Sequence, residues 1–255
     1  YMDDSIEKDL TLAGSLYASG KYEEALHSYQ QIAKKWPNNG IVRSNLSALL
    51  LKVGRIDESL EEAMKARDLS PNWYKVYYRL GQSLRAKDRY KEALVSYSNG
   101  LRLDETNEQL IESSVQCAIH LFKDKFPLAT LRRSELSSNA VSVLVFIGQT
   151  LLQEGSLFES IDILSNAYQL PSPSVTVQYS LLSSLISASS SLSQHEKALQ
   201  YAKEQLEFCE RHVLPLISSL ESISRECESL GDLEGSISAI LQIIDSLDEV
   251  PCSKI

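Results

Sequence analysis

Cysteine is scarce in this 255-residue chain, and its four copies, Cys117, Cys209, Cys227 and Cys252, are irregularly spaced. A small secreted domain held together by disulfides has a denser and more regular set of cysteines, so this usage indicates reduced thiols and a cytoplasmic protein. The chain also contains no apolar run close to the roughly 20 residues that a membrane-spanning helix needs. These features exclude a disulfide framework and a helical membrane span.

The motifs by which common catalytic sites are recognised are missing as well. There is no glycine-rich phosphate loop, no Gly-x-Ser-x-Gly nucleophile turn and no His-Glu-x-x-His zinc motif. Cys209 and His212 are three residues apart, but structural zinc usually needs four ligands in tight local pairs, and the four histidines are scattered. We therefore expect no enzymatic activity, no metal and no cofactor.

Charge is unevenly distributed along the chain, which carries a net charge of −9 at pH 7. Residues 1–106 contain 16 Lys and Arg against 15 Asp and Glu, whereas residues 107–255 contain 9 against 19. An acidic second half argues against nucleic acid or an anionic membrane as a partner. The cations of the first half indicate where an acidic ligand would bind.

A repeat with a period of 34 residues is the most informative feature of the sequence. LAGSLYASGKYEEALHSYQQIAKKWP (12–37) aligns with LSALLLKVGRIDESLEEAMKARDLSP (46–71), and LGQSLRAKDRYKEALVSYSNGLRLDE (80–105) is a third copy. Glycine recurs at Gly20 and Gly54, where a helix must end and turn. Small residues recur where two helix backbones approach each other closely: Ala13, Ser47 and Gly81, then Ala25, Ser59 and Ala93. Each copy therefore predicts one helix hairpin that stacks on the next.

Beyond residue 106 the pattern is less regular. Ser160, Ala198 and Ser236 mark later copies that are 38 residues apart, so we expect longer helices or turns there. The predicted organisation is three regular 34-residue hairpins over residues 1–106, a degenerate helical linker unit over 107–139, and three divergent, longer hairpins over 140–255. The predicted fold class is all-α, a right-handed superhelical solenoid of stacked antiparallel helix hairpins.

The period of 34 and the positions of the small residues resemble the tetratricopeptide repeat. The stretches RSNLSALL and NWYKVYYRLGQSL further resemble the second and third repeats of co-chaperones that clamp the acidic C-termini of heat-shock chaperones, whose tails end Glu-Glu-Val-Asp. The layout after residue 107 is similar to that of large multi-repeat scaffold proteins. This resemblance implies a protein-binding module.

The co-chaperone clamp holds carboxylates with an asparagine, a lysine and an arginine, and these match Asn45, Lys75 and Arg79. The family also places a lysine and an asparagine on the first helix, at the positions of Leu10 and Gly14. Three of the five clamp positions are therefore matched here, and one of the two that differ lacks a cation.

The first helix of each hairpin in such a solenoid lines the concave side, which faces a ligand. Lys75 and Arg79 are four residues apart and so share one face of their helix. We predict a site for an acidic peptide or a C-terminal carboxylate, a heat-shock chaperone tail being one candidate. The residues predicted to form it are Asn45, Lys52, Lys75, Tyr78, Arg79, Gln82 and Arg85.

Two alternatives remain open at this point. Lys75 and Arg79 could be solvated groove residues, or they could form internal ion pairs, for example with Glu108 or Glu112 on the next helix. The chain could instead be architectural, a scaffold that associates with partners or with itself through its acidic half and its end hairpins.

Overall fold

A computed structural model describes residues 4–123 and 139–248, and all regular structure within these two ranges is helical. The predicted all-α class of stacked antiparallel helix hairpins is therefore confirmed. The helices are α1 (Asp4–Ala18), α2 (Tyr22–Lys35), α3 (Gly40–Lys52), α4 (Ile56–Leu69), α5 (Tyr74–Ala86), α6 (Tyr90–Leu103), α7 (Glu108–Phe122), α8 (Ala140–Gln153), α9 (Leu157–Tyr168), α10 (Val175–Ser191), α11 (His195–His212), α12 (Ile217–Leu230) and α13 (Leu233–Asp248).

Six of the turns between paired helices have the same backbone geometry. In each, one residue has a positive φ between 56° and 81°, and the next residue's N–H bonds to the carbonyl five residues earlier, as in a Schellman cap. The positive-φ residues are Gly20, Gly54 and Asp88, spaced by 34, and Gly155, Ser193 and Gly231, spaced by 38. The repeat period seen in the sequence is thus the period of the turns.

The change of period from 34 to 38 residues goes mainly into helix length. Helices α3 to α6 contain 13 or 14 residues each, whereas α10 contains 17 and α11 contains 18. The expectation of longer elements in the second half is met by these two helices.

Helix starts also follow the repeat. The Asn39 side chain accepts hydrogen bonds from the N–H groups of Ile41 and Val42 at the start of α3, and Asn107 accepts one from Leu110 at the start of α7. The two asparagines are 68 residues apart, or two periods. Each satisfies backbone donors that a helix start leaves without partners.

Close packing explains the small residues of the repeat. Ala13, Ala25, Ser59 and Ala93 are fully buried. A Cβ atom at Gly81 would lie 2.3 Å from a ring carbon of Tyr97, so only glycine fits there. The hairpins are held together by contacts of this kind between helix backbones and large neighbouring side chains.

The chain divides into two compact units, residues 1–140 and 141–255. One core cluster of the first unit extends from Ile6 to Leu50, and one cluster of the second contains Ile186, Ala202, Ile223, Cys227 and Ala239. The finer division at residues 106 and 139 stays a prediction. Residues 124–138, in the predicted linker unit, and residues 249–255, which include Cys252, lie outside the described residues.

Candidate functional site

The predicted site residues lie on α3 and α5, the first helices of the second and third hairpins, which contact each other directly. Buried serines fix this contact through α4. Ser59 on α4 donates to the backbone carbonyl of Ser47 at 2.8 Å, and its hydroxyl lies 2.8 Å from that of Ser83 on α5. We call the surface that carries Asn45, Lys75 and Arg79 the α3–α5 face.

Arg79 is held in place by neutral neighbours on its own helix. Its Nη1 donates to Gln82 Oε1 at 3.0 Å, and its guanidinium carbon lies 5.5 Å from the ring centroid of Tyr78. Gln82 in turn donates from Nε2 to the Tyr78 hydroxyl at 2.8 Å. The Nε–H of Arg79 is buried and has no hydrogen-bond partner among the described residues. The guanidinium is thus oriented but not neutralised.

Lys75, one helical turn earlier, is exposed, and its ammonium lies 6.0 Å from the ring centroid of Trp73. Among the described residues neither Lys75 nor Arg79 forms an ion pair with an Asp or Glu side chain. The alternative of pairing with Glu108 or Glu112 is therefore wrong for this structure. The Glu112 carboxylate instead accepts a hydrogen bond from Gln116 on its own helix.

Asn45 is half-buried on α3, and its side chain bonds to the hydroxyl of Tyr29 on α2. Burial raises the pKa of Tyr29, and the hydrogen bond with Asn45 partly offsets that rise. A Cβ atom at Gly14 would lie 4.0 Å from the same hydroxyl, while Leu10 packs against the first core cluster. The Tyr29 hydroxyl was not among the predicted site residues, because its position in the repeat marks a core side chain.

The predicted exposure of Tyr78 is wrong. The sequence places it on the open wall of the groove, but its side chain is only 7% exposed and its ring packs 6.2 Å from that of Tyr97. The space left by Gly81 lets Tyr97 approach α5 and cover the ring of Tyr78. Tyr78 therefore orients Gln82 and Arg79, and offers little surface of its own.

The two remaining predicted cations, Lys52 and Arg85, lie outside the cluster that Arg79 forms with Gln82 and Tyr78. Lys52 is exposed at the end of α3, and its ammonium lies 5.6 Å from the ring centroid of Tyr22. Arg85 is half-buried at the end of α5 and lines a separate pocket together with Gln82. The structure thus joins Tyr78, Arg79 and Gln82 in one cluster, and it places Asn45, Lys52 and Arg85 in different local surroundings.

The described cysteines are enclosed, whereas His212 is exposed. Cys117, Cys209 and Cys227 are free and buried, and burial raises the pKa of the Cys117 thiol to about 12. His212 stacks on Phe208, with ring centroids 4.4 Å apart. Within residues 4–123 and 139–248 no group of three or more His, Cys, Asp or Glu side chains is arranged to hold a metal. No helix described there has both the length and the apolar character needed to cross a bilayer.

Antiparallel hairpins that recur every 34 or 38 residues define a helical-repeat protein. The particular family follows from sequence comparison. The sequence model of the tetratricopeptide repeat matches residues 16–83, and a second model of the same repeat matches residues 74–107. By these matches the chain is a tetratricopeptide-repeat protein over residues 16–107, and the fold of this repeat is a non-catalytic protein-interaction module.

Two relatives illustrate the range of similarity. Human tetratricopeptide repeat protein 28 is 30% identical over 217 residues, which cover 84% of this chain and 8% of that protein. Hsp70-Hsp90 organizing protein 3 of Arabidopsis thaliana is 34% identical over 124 residues, covering 48% of this chain and 22% of that protein. About half of this chain is thus similar to part of an Hsp70-Hsp90 organizing protein. The chain spans less than a quarter of the length of either relative.

Among solved structures, that of PilW, described as a widely conserved type IV pilus biogenesis factor, is similar with a TM-score of 0.43 and 12% sequence identity. The match covers 98% of this chain and 96% of PilW.

Proposed function

We propose that the α3–α5 face binds an acidic peptide segment or a peptide C-terminus, and that the chain acts as a non-enzymatic adaptor for a protein partner. The state of Arg79 carries this proposal, because the guanidinium is oriented by Gln82 and Tyr78 yet has no acidic partner among the described residues. An oriented guanidinium can donate two parallel hydrogen bonds to a carboxylate. Lys75, on the same helix face, adds a second positive charge.

The strength of such a site follows from its charges. Charge-assisted hydrogen bonds contribute roughly 1.5–3 kcal/mol each. Two or three of them, together with apolar contacts, correspond to a dissociation constant in about the micromolar range. We expect the peptide to be bound by Arg79 and Lys75, with the free hydrogen-bonding capacity of the Asn45 amide in support.

A heat-shock chaperone tail is the particular ligand that the relatives suggest, since several carry Hsp70 and Hsp90 in their names. Leu10 and Gly14 replace two polar clamp positions, and the Tyr29 hydroxyl lies beside the second of them. With one cation fewer, we expect a tail that carries several carboxylates to bind more weakly than it would to a complete clamp. A cytoplasmic location, inferred from the reduced cysteines, suits this ligand.

Fluorescence polarisation with labelled octapeptides tests the proposal. The peptides should end in Glu-Glu-Val-Asp as a free acid, in the same sequence as a C-terminal amide, and in a version with Gln and Asn in place of the acids. We expect Lys75→Ala combined with Arg79→Gln to abolish binding while the melting temperature stays nearly unchanged. Lys34→Ala, which removes an exposed cation on α2, is the control and should bind normally. Normal binding by the double variant would refute the proposal.

A second candidate function, self-association as an architectural module, is favoured by the last helix. Five large aliphatic side chains on α13 are 42–68% exposed and lie on one helix face: Leu233, Ile237, Ile240, Leu241 and Ile244. If a second copy covers them, sedimentation velocity will show concentration-dependent dimers that Ile237→Glu abolishes and the Lys75/Arg79 double variant does not. A monomer at all concentrations would exclude this function.

A further inference from the structure

The pocket lined by Arg85 and Gln82 adjoins the α3–α5 face within the first unit. It has a volume of about 460 Å³ and lies where the ends of α3 and α5 meet the start of α6 and the second half of α7. Its principal lining residues are Leu51, Gln82, Arg85, Tyr90, Gln116 and His120. Four of the six are on α5 or α7, and we call it the α5–α7 pocket.

Arg85 is the only Lys, Arg, Asp or Glu residue among the described lining residues. Its side chain forms no hydrogen bond or ion pair with any described residue. Two carboxylates are bonded to lining residues of the pocket and neither forms an ion pair with Arg85: Asp88 accepts from the Tyr90 hydroxyl at 2.8 Å, and Glu112 accepts from Gln116 at 2.9 Å. Arg85 is therefore the one cation among the described lining residues, and no described acid forms an ion pair with it.

The field of Arg85 reaches the packed interior beside the pocket. Burial raises the pKa values of Tyr97 and Cys117, and the positive charge of Arg85 opposes that rise in both. The same positive charge acts on an anion that enters the pocket.

The walls of the pocket suit a side chain with a short apolar stem. Tyr90 and His120 stack with ring centroids 4.4 Å apart and an angle of 31° between the rings, and Leu51 adds an aliphatic contact. The Gln116 carboxamide and the His120 ring supply polar groups beside Arg85. One guanidinium balances a single negative charge, which fits a carboxylate side chain rather than a doubly charged phosphate.

Gln82 connects this pocket with the candidate site, because it accepts from Arg79 and also lines the α5–α7 pocket. Arg79 and Arg85 are six residues apart on α5, which separates them by about 120° around the helix and by about 9 Å along its axis. An extended peptide covers that distance with about three residues. One peptide can therefore place a carboxylate at Arg79 and a second acidic residue at Arg85.

We propose that the α5–α7 pocket is a second anion subsite, which binds the side chain of a Glu or Asp about three residues away from the carboxylate held at Lys75 and Arg79. The inference rests on the proposed function of the α3–α5 face and specifies its ligand: a peptide with two acidic groups at this spacing. The α5–α7 pocket distinguishes peptides by this second acidic residue, whereas the α3–α5 face binds the carboxylate that all of them share.

A double-mutant cycle between Arg85 and the peptide tests this subsite. Octapeptides with one acidic residue two, three or four positions before the terminal Asp, and matched peptides with Gln at the same position, are titrated by fluorescence polarisation. For the preferred spacing, we expect Arg85→Gln to weaken binding about tenfold with Glu and less than about twofold with Gln. Arg85→Lys should retain part of the preference, since it keeps the charge but loses the planar fork.

Arg102→Gln is the matched control, because it removes the same charge from the last turn of α6, outside the pocket. Thermal melting of each variant checks folding. Wild type could bind an acidic peptide through Lys75 and Arg79 while Arg85→Gln weakens the binding of Glu and Gln peptides equally. In that case the proposal of a second subsite is refuted and the proposed function stands. If wild type binds none of the peptides, the proposed function itself fails.

Discussion

At the scale of single residues, Gly81 links the repeat to the candidate site. The space beside it is filled by Tyr97, which packs on Tyr78, and Tyr78 orients Gln82. A methyl group at position 81 would displace the Tyr97 ring. Alanine raises helix propensity by about 1 kcal/mol, but overpacking commonly costs about 1–3 kcal/mol. We therefore expect Gly81→Ala to lower the free energy of unfolding in urea and to weaken peptide binding.

Gly14→Ala serves as the control for this prediction. A Cβ atom there would lie 4.0 Å from the Tyr29 hydroxyl, which is an ordinary contact distance. The variant should be as stable as wild type, or more stable by up to about 1 kcal/mol. Equal destabilisation by both substitutions would show that a general effect of alanine, and not the Tyr97 contact, is responsible.

The sequence predicted the site only in part at this scale. Lys75 and Arg79 were placed on one face because helical spacing alone determines it. The burial of Tyr78 and the bond between Asn45 and Tyr29 were not predicted, because they depend on how far one helix approaches another. Helical periodicity indicates the side of a helix on which a residue lies, but not how deeply its neighbours cover it.

At the scale of helices, a buried carboxylate connects three elements of the second unit. Glu226 on α12 is fully buried, and its Oε2 lies 2.8 Å from Nδ1 of His195 at the start of α11. Ser190 at the end of α10 and the neighbouring Arg225 also bond to it. Burial opposes ionisation, but these hydrogen bonds outweigh it and hold the pKa of Glu226 below its usual value.

This arrangement predicts how stability depends on pH. Because the pKa is lower in the folded state, the contribution of Glu226 is present above the ordinary Glu value of about 4.5 and is lost as the pH falls through the lowered folded value. We expect Glu226→Gln to cost about 1–3 kcal/mol at pH 7 and to flatten the loss of stability below pH 4.5. Urea unfolding between pH 3 and pH 7 measures both effects.

Glu221→Gln on the same helix is the matched control, since Glu221 is exposed. It should leave stability at pH 7 within about 0.5 kcal/mol of wild type. An acid dependence of Glu226→Gln identical to that of wild type would show that the buried carboxylate does not couple folding to pH.

The helices themselves were largely predictable, because their signals are local. Gly20 and Gly54 mark turns in the sequence, and the structure adds Asn39 and Asn107 as side chains that cap helix starts. Asp88 and Ser193 occupy the same left-handed turn position without glycine, so the turn there followed only from the period. The contact between Glu226 and His195 joins residues 31 apart and had no local signal.

At the scale of the whole molecule, two opposing fields act on an acidic ligand. The net charge of −9 repels it, and residues 107–255, with a net charge of −10, account for all of this excess. The cations Lys75, Arg79 and Arg85 of α5, which pair with no acid in the described part of the chain, attract it at short range. The screening length is about 30 Å at 0.01 M salt and about 10 Å at 0.1 M, so charges farther from the ligand are screened before those in contact with it.

These two ranges predict how the affinity for the peptide depends on salt concentration, which a salt titration measures. Between about 0.1 M and 0.5 M salt we expect the affinity to fall, since only the local attraction remains to be screened. Below 0.1 M the dependence should be shallower, because added salt also screens the repulsion. Arg85→Gln should reduce the slope above 0.1 M for peptides with the internal acid, whereas Arg102→Gln should not. An affinity that is constant or rises from 0.1 M to 0.5 M would mean that apolar contacts, and not Lys75, Arg79 and Arg85, hold the peptide.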